Sequence, residues 1–517
     1  MDSALRPAGQ PPVPLSALVS GLGLTGDTGS RALVTGITLD SRTVGHGWLY
    51  VALPGTRAHG AEFAGSAVAA GAAAILTDDE GRRILGPDPG AAVVAAEDAR
   101  AAMALVSARL FGEPARQLAT FAVTGTNGKT TTVALLQAGL AAAGRLAGTI
   151  GTIGFRLGDE ELRSSRGTVT TPESPDLQAL LAVFVARGAE AALLEVSSHA
   201  LALSRVDGIS FDVAGFLNLG RDHLDFHRDL DDYFEAKARL FEPGRAAVSV
   251  VWTDDPRGRE LAGRVRAHGE SRLVTVGTED ADYRLLDYRD VAPLGGAATL
   301  LRGGEELPLE LALPGRYNMI DAAVAFAMLE AAGVDADDAL RGLASAQVPG
   351  RMQRVDLGAG APVVVVDFAH TPQAVGAALD SLAAVGPLVT VLGCGGDRDQ
   401  AKRPEMGEAA ASRSALTVVT DDNPRSEDPR AIRAQTLAGA RSVAGAAVLE
   451  IAGRRAAIEE ALRRAPAGGV VAILGKGHER GQILADRVAP FDDVEEAVAA
   501  WRRLREEGER GGSEHDG

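Results

Sequence analysis

The chain is poor in cysteine, in aromatic residues and in long apolar runs, and each shortage narrows what the protein can be. Cys394 is the only cysteine, so no intrachain disulfide can form, and we expect a reducing, cytoplasmic location. The N-terminus has no basic segment followed by an apolar one, and no uninterrupted apolar run reaches about 18 residues. Neither secretion nor a membrane span is therefore expected. A net charge of −17 argues against nucleic acid as a partner.

What is present predicts an α/β protein of several domains. The 517 residues are 46% apolar but only 4% aromatic, and this length predicts about three domains. Short apolar runs that end on polar residues alternate with Ala-rich helical windows, which is typical of parallel strands buried on both faces. We predict an N-terminal α/β domain over 1–114, a central P-loop domain with a mostly parallel sheet over 115–349, and a Rossmann-like domain over 350–517. A disordered tail is expected from about residue 506.

One segment of the central domain has the pattern of a phosphate-binding loop. An apolar run from Leu118 to Val123 leads into a glycine-rich loop and then into an Ala/Leu-rich helix. In such a loop, backbone N–H groups and the helix dipole hold phosphate, Lys129 reaches the terminal phosphates, and the Thr130 hydroxyl binds Mg²⁺. The match is imperfect, since Val123 replaces the usual first glycine. The predicted nucleotide-binding residues are Gly125, Thr126, Asn127, Gly128, Lys129, Thr130 and Thr131.

Polar residues that follow two later strands are candidates for metal binding. Glu195 ends an apolar run, and a carboxylate at a strand end beside a P-loop commonly reaches the same Mg²⁺; a helix-capping acid is the alternative. Residues 218–227 hold two histidines, two aspartates and one arginine, and His223 is our candidate for a second metal ligand. Lys237 lies in an amphipathic helical stretch, where the residue type alone indicates only an exposed surface charge.

Taken together, these segments resemble the Mur ligase family. The resemblance rests on Thr124–Thr131, Glu195–His199, Asn218–Asp225 and the segment around Lys237, and it covers Leu39 to Phe491, about nine-tenths of the chain. It implies an ATP-dependent amide ligase of peptidoglycan precursor synthesis, in which a substrate carboxylate is activated as an acyl phosphate. It also implies two Mg²⁺ ions, held by Thr130, Glu195, His223 and a carbamylated Lys237. Lys129, His223 and Lys237 are the implied catalytic residues.

The family pattern also assigns the nucleotide-sugar substrate, a UDP-N-acetylmuramoyl-dipeptide. It places the uridine-nucleotide sugar on the first domain and the peptide end on the central domain. One departure is Leu203, which stands where some relatives have a polar amide. The implied substrate-binding residues are Leu39, Ser41, Thr56, Arg57 and Ala58 in the first domain, and Thr170, Thr171, Ser197 and Arg205 in the second.

The third domain carries the residues that select the incoming amino acid. In the family, the Asp-Asn-Pro-Arg form at 422–425 goes with diaminopimelate, and lysine-adding relatives lack the arginine. The chemistry agrees, because diaminopimelate has a second carboxylate that a guanidinium can bind through two hydrogen bonds. The implied residues are Arg398, Asp422, Asn423, Pro424, Arg425, Gly475 and Glu479. Asn318, Arg351, Asp367 and His370 resemble positions that close around ATP.

The sequence thus predicts a ligase, acting as a monomer, that adds diaminopimelate to UDP-N-acetylmuramoyl-L-alanyl-D-glutamate. Alternatives are a ligase of the same fold with another amino acid such as L-lysine, a folylpolyglutamate synthetase, or the ligase that adds D-Ala-D-Ala. A nucleotide-binding scaffold without activity is a further alternative. A simple P-loop hydrolase is disfavoured, because it leaves the first and third domains without a role.

Overall fold

The computed structural model describes residues 7, 9–162, 169–292, 294–358 and 360–513. Its N-terminal part holds a five-stranded sheet in the order β2-β7-β6-β5-β4, parallel except for the pairing of β2 with β7. The strands of this part are β1 (Val13–Pro14), β2 (Thr25–Gly26), β3 (Leu33–Val34), β4 (Gly36–Thr38), β5 (Trp48–Ala52), β6 (Ala74–Thr77) and β7 (Ala92–Ala95), of which β1 and β3 pair in a separate two-stranded sheet. The helices are α1 (Leu15–Val19), α2 (Ala64–Ala69), α3 (Asp79–Leu85) and α4 (Ala99–Leu110).

The next strands form a second sheet, in the order β11-β10-β9-β12-β8-β13-β14-β15. From β9 to β15 all neighbours are parallel, and β10 and β11 extend the edge antiparallel. The strands are β8 (Ala119–Thr124), β9 (Ala147–Gly151), β10 (Gly154–Leu157), β11 (Glu160–Leu162), β12 (Ala191–Glu195), β13 (Phe211–Phe216), β14 (Ala246–Trp252) and β15 (Arg272–Gly277). The helices are α5 (Lys129–Ala142), α6 (Ser174–Ala186), α7 (Ser198–Ala202), α8 (Leu230–Ala238) and α9 (Pro256–His268).

Three strands and two helices follow. They are β16 (Tyr283–Asp290), β17 (Gly296–Arg302), β18 (Glu305–Leu311), α10 (Arg316–Ala331) and α11 (Ala336–Ser345). The β17–β18 pair forms a hairpin in which Gly296 lies opposite Leu311. Its alternating buried and exposed residues along β18 are typical of an antiparallel strand with one solvated face.

The C-terminal part is a third sheet, in the order β19-β20-β24-β21-β22-β23, parallel except for β19. The strands of the C-terminal part are β19 (Gln353–Val355), β20 (Val363–Asp367), β21 (Leu388–Cys394), β22 (Leu416–Asp421), β23 (Val448–Glu450) and β24 (Val470–Leu474) in this sheet, and β25 (Gly481–Ile483) and β26 (Val488–Pro490) outside it. The helices are α12 (Pro372–Leu382), α13 (Lys402–Ala411), α14 (Pro429–Ser442), α15 (Arg454–Arg464) and α16 (Asp493–Ser513). The predicted three-domain α/β class with mostly parallel sheets is confirmed.

By compactness the chain divides into two units. The first comprises 1–283 and 324–342, and the second comprises 284–323 and 343–517. Residues 284–323, which the sequence assigns to the central domain, therefore group with the C-terminal sheet. The physical reason is apolar packing, since Leu294 and Tyr317 pack against the core that contains Val365.

The C-terminal end differs from the sequence-based expectation. The sequence predicts a disordered tail from about 506, whereas α16 continues to Ser513. Glu507 lies 3.8 Å from Arg463 of α15, and Arg503 donates to Glu459. These ion pairs favour continuation of the helix as far as Glu507.

Local sequence explains where several helices begin. The helices α9, α12 and α14 each start with proline at their first position, after Asp255, Thr371 and Asp428, whose side chains accept backbone N–H bonds. Proline at the first turn costs no hydrogen bond, and the capping oxygen satisfies an N–H that has no partner in the helix. Among the described residues, no helix is long and apolar enough to cross a membrane.

Candidate active site

The loop that the sequence predicts to bind phosphate lies between β8 and α5. Gly128 has a φ of 90°, a left-handed conformation that favours glycine, and α5 begins at the next residue. The Lys129 ammonium donates to the carbonyl oxygens of Gly125 and Thr126, at 2.9 and 3.0 Å. The cation therefore lies over the loop, where the N-terminus of α5 also attracts anions.

Asn218, which follows β13, braces this loop. Its side-chain Oδ1 accepts from the Asn127 N–H at 2.9 Å, and its Nδ2 donates to the Asn127 carbonyl at 3.2 Å. Its own carbonyl accepts from the Thr126 N–H at 3.0 Å. The sequence shows Asn218 only as part of a polar cluster. Its bracing role depends on β13 lying next to β8 in the sheet, and strand order is not readable from the sequence.

Glu195 reaches the loop from β12, the neighbour of β8 on the other side. The carboxylate is 1% exposed and accepts from the Thr130 hydroxyl at 3.0 Å, from the Thr152 N–H at 2.9 Å and from the Thr152 hydroxyl at 3.0 Å. The sequence-based pairing of Glu195 with Thr130 therefore agrees with the geometry, while Thr152 was missed. Carboxylate and hydroxyl oxygens are hard ligands, so this donor set fits Mg²⁺.

Lys237 of α8 is not the exposed charge that its residue type suggests. It is 1% exposed, and its Nζ donates to the Gly125 carbonyl at 2.9 Å and lies 4.5 Å from the centre of the Tyr233 ring. Burial, and secondly the positive charge of Lys129, lower the pKa of Lys237 well below its ordinary value. Its amine is therefore disposed to be neutral and nucleophilic.

His223 lies in the loop after β13 in a left-handed conformation, with a φ of 54°. Its Nε2 is 3.5 Å from Asp222 Oδ2, and its ring meets the His199 ring edge-on at a centroid distance of 4.8 Å. Burial lowers the pKa of His223, and Asp222 opposes this shift. Within the described ranges, no three His, Cys, Asp or Glu side chains are grouped to hold a metal ion. An imidazole beside an unmodified lysine does not fit Mg²⁺; it fits once the lysine bears a carbamate.

The residues predicted for the peptide end of the substrate lie together beside Glu195. Thr171 donates its hydroxyl to the Glu195 carbonyl at 2.8 Å, and Ser197 donates its N–H to the Thr171 hydroxyl at 3.1 Å. Arg205 donates to the Thr171 carbonyl at 2.9 Å and to Glu173 at 3.0 Å. Thr170 shares a hydrogen bond with the Thr152 hydroxyl at 3.1 Å.

The residues predicted for the nucleotide sugar follow two neighbouring strands of the first sheet. Leu39 and Ser41 come after β4, and Thr56, Arg57 and Ala58 come after β5, its parallel neighbour. Carboxyl ends of parallel strands meet at one sheet edge, which is the usual place for a ligand. The Thr56 and Arg57 side chains are exposed.

In the second unit, the sheet brings together residues that the sequence predicts to bind the incoming amino acid. Asn423, after β22, donates its amide to Glu479 at 2.7 Å. Lys476, fully buried after β24, donates to the Asn423 amide oxygen at 3.0 Å and to Glu479 at 3.1 Å. Arg425 donates to the Gly396 carbonyl at 2.7 Å. Sequence reasoning missed Lys476, although it lies between two residues of a singled-out motif.

The remaining predicted members of this edge follow the same strands. Asp422 is 7% exposed, and burial raises its pKa, opposed by the charges of Arg454 and Lys476. Pro424 is buried, Gly475 directly follows β24, and Arg398 is exposed in the loop after β21.

The residues predicted to close around ATP lie in the second unit. Asp367 ends β20 and accepts from the N–H groups of Met352 and Ala369, at 2.7 and 2.8 Å. Burial raises its pKa, opposed by the charge of Arg351. The Arg351 guanidinium lies 4.5 Å from the centre of the Phe368 ring.

Two more of these residues are tied to backbone. His370 Nδ1 is 2.9 Å from the Phe368 carbonyl, which fits a protonated Nδ1 and leaves Nε2 as the acceptor. Asn318, near the start of α10, is buried and donates its amide to the Pro314 carbonyl at 2.7 Å.

Comparisons with known proteins agree with this arrangement. Residues 33–109 match the catalytic domain of the Mur ligase family, residues 123–329 the Mur ligase middle domain, and residues 350–477 the Mur ligase glutamate ligase domain.

Individual relatives match over nearly their whole length. The chain is 46% identical over 499 residues to a UDP-N-acetylmuramoyl-L-alanyl-D-glutamate--2,6-diaminopimelate ligase of Streptomyces coelicolor, covering 94% of this chain and 96% of the relative. It is 43% identical over 466 residues to the protein of that name from Corynebacterium glutamicum, covering 87% of this chain and 88% of the relative. A solved structure of a ligase with the same name is 32% identical, with a TM-score of 0.68, covering 92% of this chain and 96% of that one. The chain belongs to the Mur ligase family.

Proposed function

We propose that the protein is an ATP-dependent ligase that joins diaminopimelate to UDP-N-acetylmuramoyl-L-alanyl-D-glutamate in peptidoglycan precursor synthesis. The observation that carries the proposal is the amino-acid edge of the second unit. There Asn423, Arg425, Lys476 and Glu479 combine donors for a carboxylate with an acceptor for an ammonium group. Close relatives with this name over nearly the whole chain support it.

The first unit supplies the groups for carboxylate activation. A carboxylate oxygen of the substrate attacks the γ-phosphorus of ATP, its bond to the β–γ bridging oxygen breaks, and ADP leaves with that electron pair. Both reactants are anions, so the step needs positive charge close to the transferred phosphoryl group. Lys129 and the N–H groups in the first turn of α5 provide that charge, and Asn218 keeps the loop in shape.

The amine of diaminopimelate then attacks the carbonyl carbon of the acyl phosphate. The tetrahedral intermediate expels phosphate, the ammonium proton is lost to solvent or base, and an amide remains. Arg425 and Arg398 would bind the distal carboxylate, while Asn423 and Glu479 would bind the distal ammonium-bearing end. Asn318, Arg351, Asp367 and His370 would contact ATP.

Two divalent cations are part of the proposal. Thr130 and Glu195 would hold one Mg²⁺, and His223 with a carbamylated Lys237 would hold the other. Bound there, Mg²⁺ neutralises charge on the phosphate oxygens. A neutral lysine amine attacks CO₂ and releases one proton to give the carbamate, and the lowered pKa of Lys237 favours the neutral amine.

The carbamate has a direct spectroscopic test. Protein equilibrated with ¹³C-bicarbonate is expected to show a carbamate resonance that is absent from Lys237→Met. A spectrum in which the wild type and the variant are identical would refute the modification.

The substrate-binding roles and the state of the protein complete the proposal. Leu39, Ser41, Thr56, Arg57 and Ala58 would contact the nucleotide sugar. Thr170, Thr171, Ser197 and Arg205 would contact the muramoyl-peptide end. We propose a cytoplasmic monomer, to be checked by sedimentation at working concentration.

The experiment is phosphate release from ATP with the UDP-muramoyl-dipeptide and one amino acid at a time. The panel contains meso-diaminopimelate, LL-diaminopimelate, L-lysine and D-Ala-D-Ala. Release that depends on a diaminopimelate isomer and is lost in Arg425→Ala is the expected result. Phosphate release with lysine alone would overturn the assignment of diaminopimelate as the substrate. No release with any amino acid would indicate a scaffold without activity.

A further inference from the structure

Two loops at the amino-acid edge are locked to each other. We call residues 395–399 the β21 loop and residues 422–427 the β22 loop. The Gly396 N–H donates to the Asn423 carbonyl at 2.8 Å, and Arg425 donates back to the Gly396 carbonyl at 2.7 Å. Asp397 accepts from the Ser426 hydroxyl at 2.6 Å and from its N–H at 3.1 Å.

An ion pair between a buried arginine and a partly exposed glutamate supports these contacts. Arg403, on α13, is fully buried and donates through both terminal nitrogens to Glu427, at 2.9 and 2.7 Å. The same guanidinium donates to the Gly395 carbonyl at 3.0 Å and to Gln435 at 2.8 Å. It therefore joins the β21 loop, the β22 loop and α14 at one point.

The backbone held by this pair is strained. Asp397 and Arg425 are not glycines, yet each has a φ of 52°, in the left-handed region that such residues rarely adopt. A Cβ on Gly396 would lie 1.9 Å from the Pro424 carbonyl oxygen, so the two loops approach as closely as a bare backbone permits. Strained conformations persist only where surrounding contacts fix them, and they concentrate at binding sites.

We propose that Arg403 and Glu427 are positioning residues that aim the Arg425 guanidinium, and with it Arg398, at the distal carboxylate of the amino-acid substrate. Neither residue needs to touch the substrate. The inference rests on the proposed function, since it assigns these residues a part in selecting diaminopimelate.

The charges of the pair agree with this role. The hydrogen bonds from Arg403 are the main cause of a lowered pKa at Glu427. Glu427 also accepts the Asp397 N–H, so one carboxylate connects the buried arginine to the strained residue of the β21 loop. A lysine at 403 would keep the charge but lose the planar fork that reaches both loops.

The test compares Arg403→Lys and Glu427→Gln with the wild-type full-length chain in the phosphate-release assay. The expected result is a KM for diaminopimelate about tenfold higher, with the KM values for ATP and the nucleotide sugar within about twofold and kcat little changed. Selectivity for diaminopimelate over L-lysine should fall by a similar factor, because misplacing a binding group by about 1 Å is enough to cost one to two orders of magnitude.

Arg433→Lys is the matched control. Arg433 is also a buried arginine of this unit, and it pairs with Asp421 and Glu450 without contacting either loop tip. It should lose comparable stability in urea but keep the KM for diaminopimelate. An unchanged KM for diaminopimelate in both test variants, or a rise in all three KM values by the same factor, would overturn the inference alone. A wild type that does not use diaminopimelate would overturn the proposed function as well.

Discussion

The edge of the first unit that we propose binds phosphate and the edge of the second that we propose binds the amino acid share one topology but hold their charges differently. Both edges consist of loops that follow parallel strands. At the first, Lys129 is partly exposed and donates to two carbonyls of its own loop. At the second, two buried cations hold the loops. Lys476 donates to Glu479, and Arg403 donates to Gly395 and to Glu427, which joins the two loops that carry Arg398 and Arg425.

The difference follows from the two ligands. A triphosphate carries strong charge on every face, so backbone N–H groups and one long lysine suffice to bind it. To distinguish diaminopimelate from lysine, a site must recognise a single distal carboxylate at a fixed position. That discrimination needs side chains fixed in advance, since a site built for a charged group rejects a substrate that lacks it.

The largest effect should come from Lys129→Ala at the phosphate edge. Loss of the Lys129 ammonium should lower kcat by about two to three orders of magnitude, the scale of a lost transition-state charge contact. Stability should hardly change, because Lys129 is partly exposed. Urea unfolding and single-turnover phosphate release check this. A loss of kcat of tenfold or less would contradict the comparison, because the backbone N–H groups would then stabilise the phosphate charge without Lys129.

Lys476→Met should have a smaller effect on rate but a larger one on stability. The change leaves Glu479 and Asn423 without their buried donor, which should destabilise the protein by about 3 kcal/mol. The KM for diaminopimelate should rise about tenfold while the KM for ATP stays constant. Urea unfolding with KM measurements at both substrates is the check. An equal rise in both KM values would contradict separate roles for the two edges.

Asn218→Ala tests the edge of the first unit without changing a charge. It removes two hydrogen bonds between its side chain and Asn127, worth about 1 kcal/mol each. The KM for ATP should therefore rise several-fold, up to about thirtyfold, and the KM for diaminopimelate should not change. Ser249→Ala, which removes a buried hydroxyl pair with Ser271 in the same sheet, is the control and should leave both KM values unchanged.

The smallest effect on activity is expected at Cys394, which ends β21 beneath the amino-acid edge and should change only the pH dependence of stability. Burial raises the pKa of this thiol from 9.0 to about 11. Between these values the unfolded chain has lost the proton that the folded chain retains, so the unfolding free energy should fall as pH rises. The fall should reach roughly 2–3 kcal/mol, at about 1.4 kcal/mol per pKa unit.

The pH dependence is measured as a difference from Cys394→Ala, which should lack this component. Below pH 9 the thiol of the native protein should react slowly with alkylating reagents and quickly in urea. Rapid alkylation of the native protein would show that the amino-acid edge opens more readily than its packing indicates.

Much of this arrangement was predictable, and what was missed has physical reasons. The P-loop, the strand-end position of Glu195 and the gathering of the third-domain motifs follow from apolar runs that close on polar residues. Burial of Lys237 was not predictable from residue type, because it depends on α8 lying against the loop at Gly125. Asn218 and Thr152 contact residues far away in the sequence, through strand order that no local pattern encodes.

The buried cations that stabilise the third-domain loops were missed in the sequence for a similar reason. Arg403 and Lys476 look like ordinary charged residues on a helix and in a loop, and only the fold shows that they are buried. Buried charges are rare without partners. A charged residue inside an otherwise apolar or glycine-rich motif, as Lys476 is, was the one signal in the sequence that pointed to such a support.

The most direct measurement of the central claim is a competition in one tube. The protein is given ATP, the UDP-muramoyl-dipeptide and equimolar diaminopimelate and L-lysine, and the products are identified by mass. The account predicts the diaminopimelate product almost alone from the wild type, and a near loss of that product from Arg425→Ala. A predominant lysine product from the wild type, or an unchanged product ratio in the variant, would contradict it.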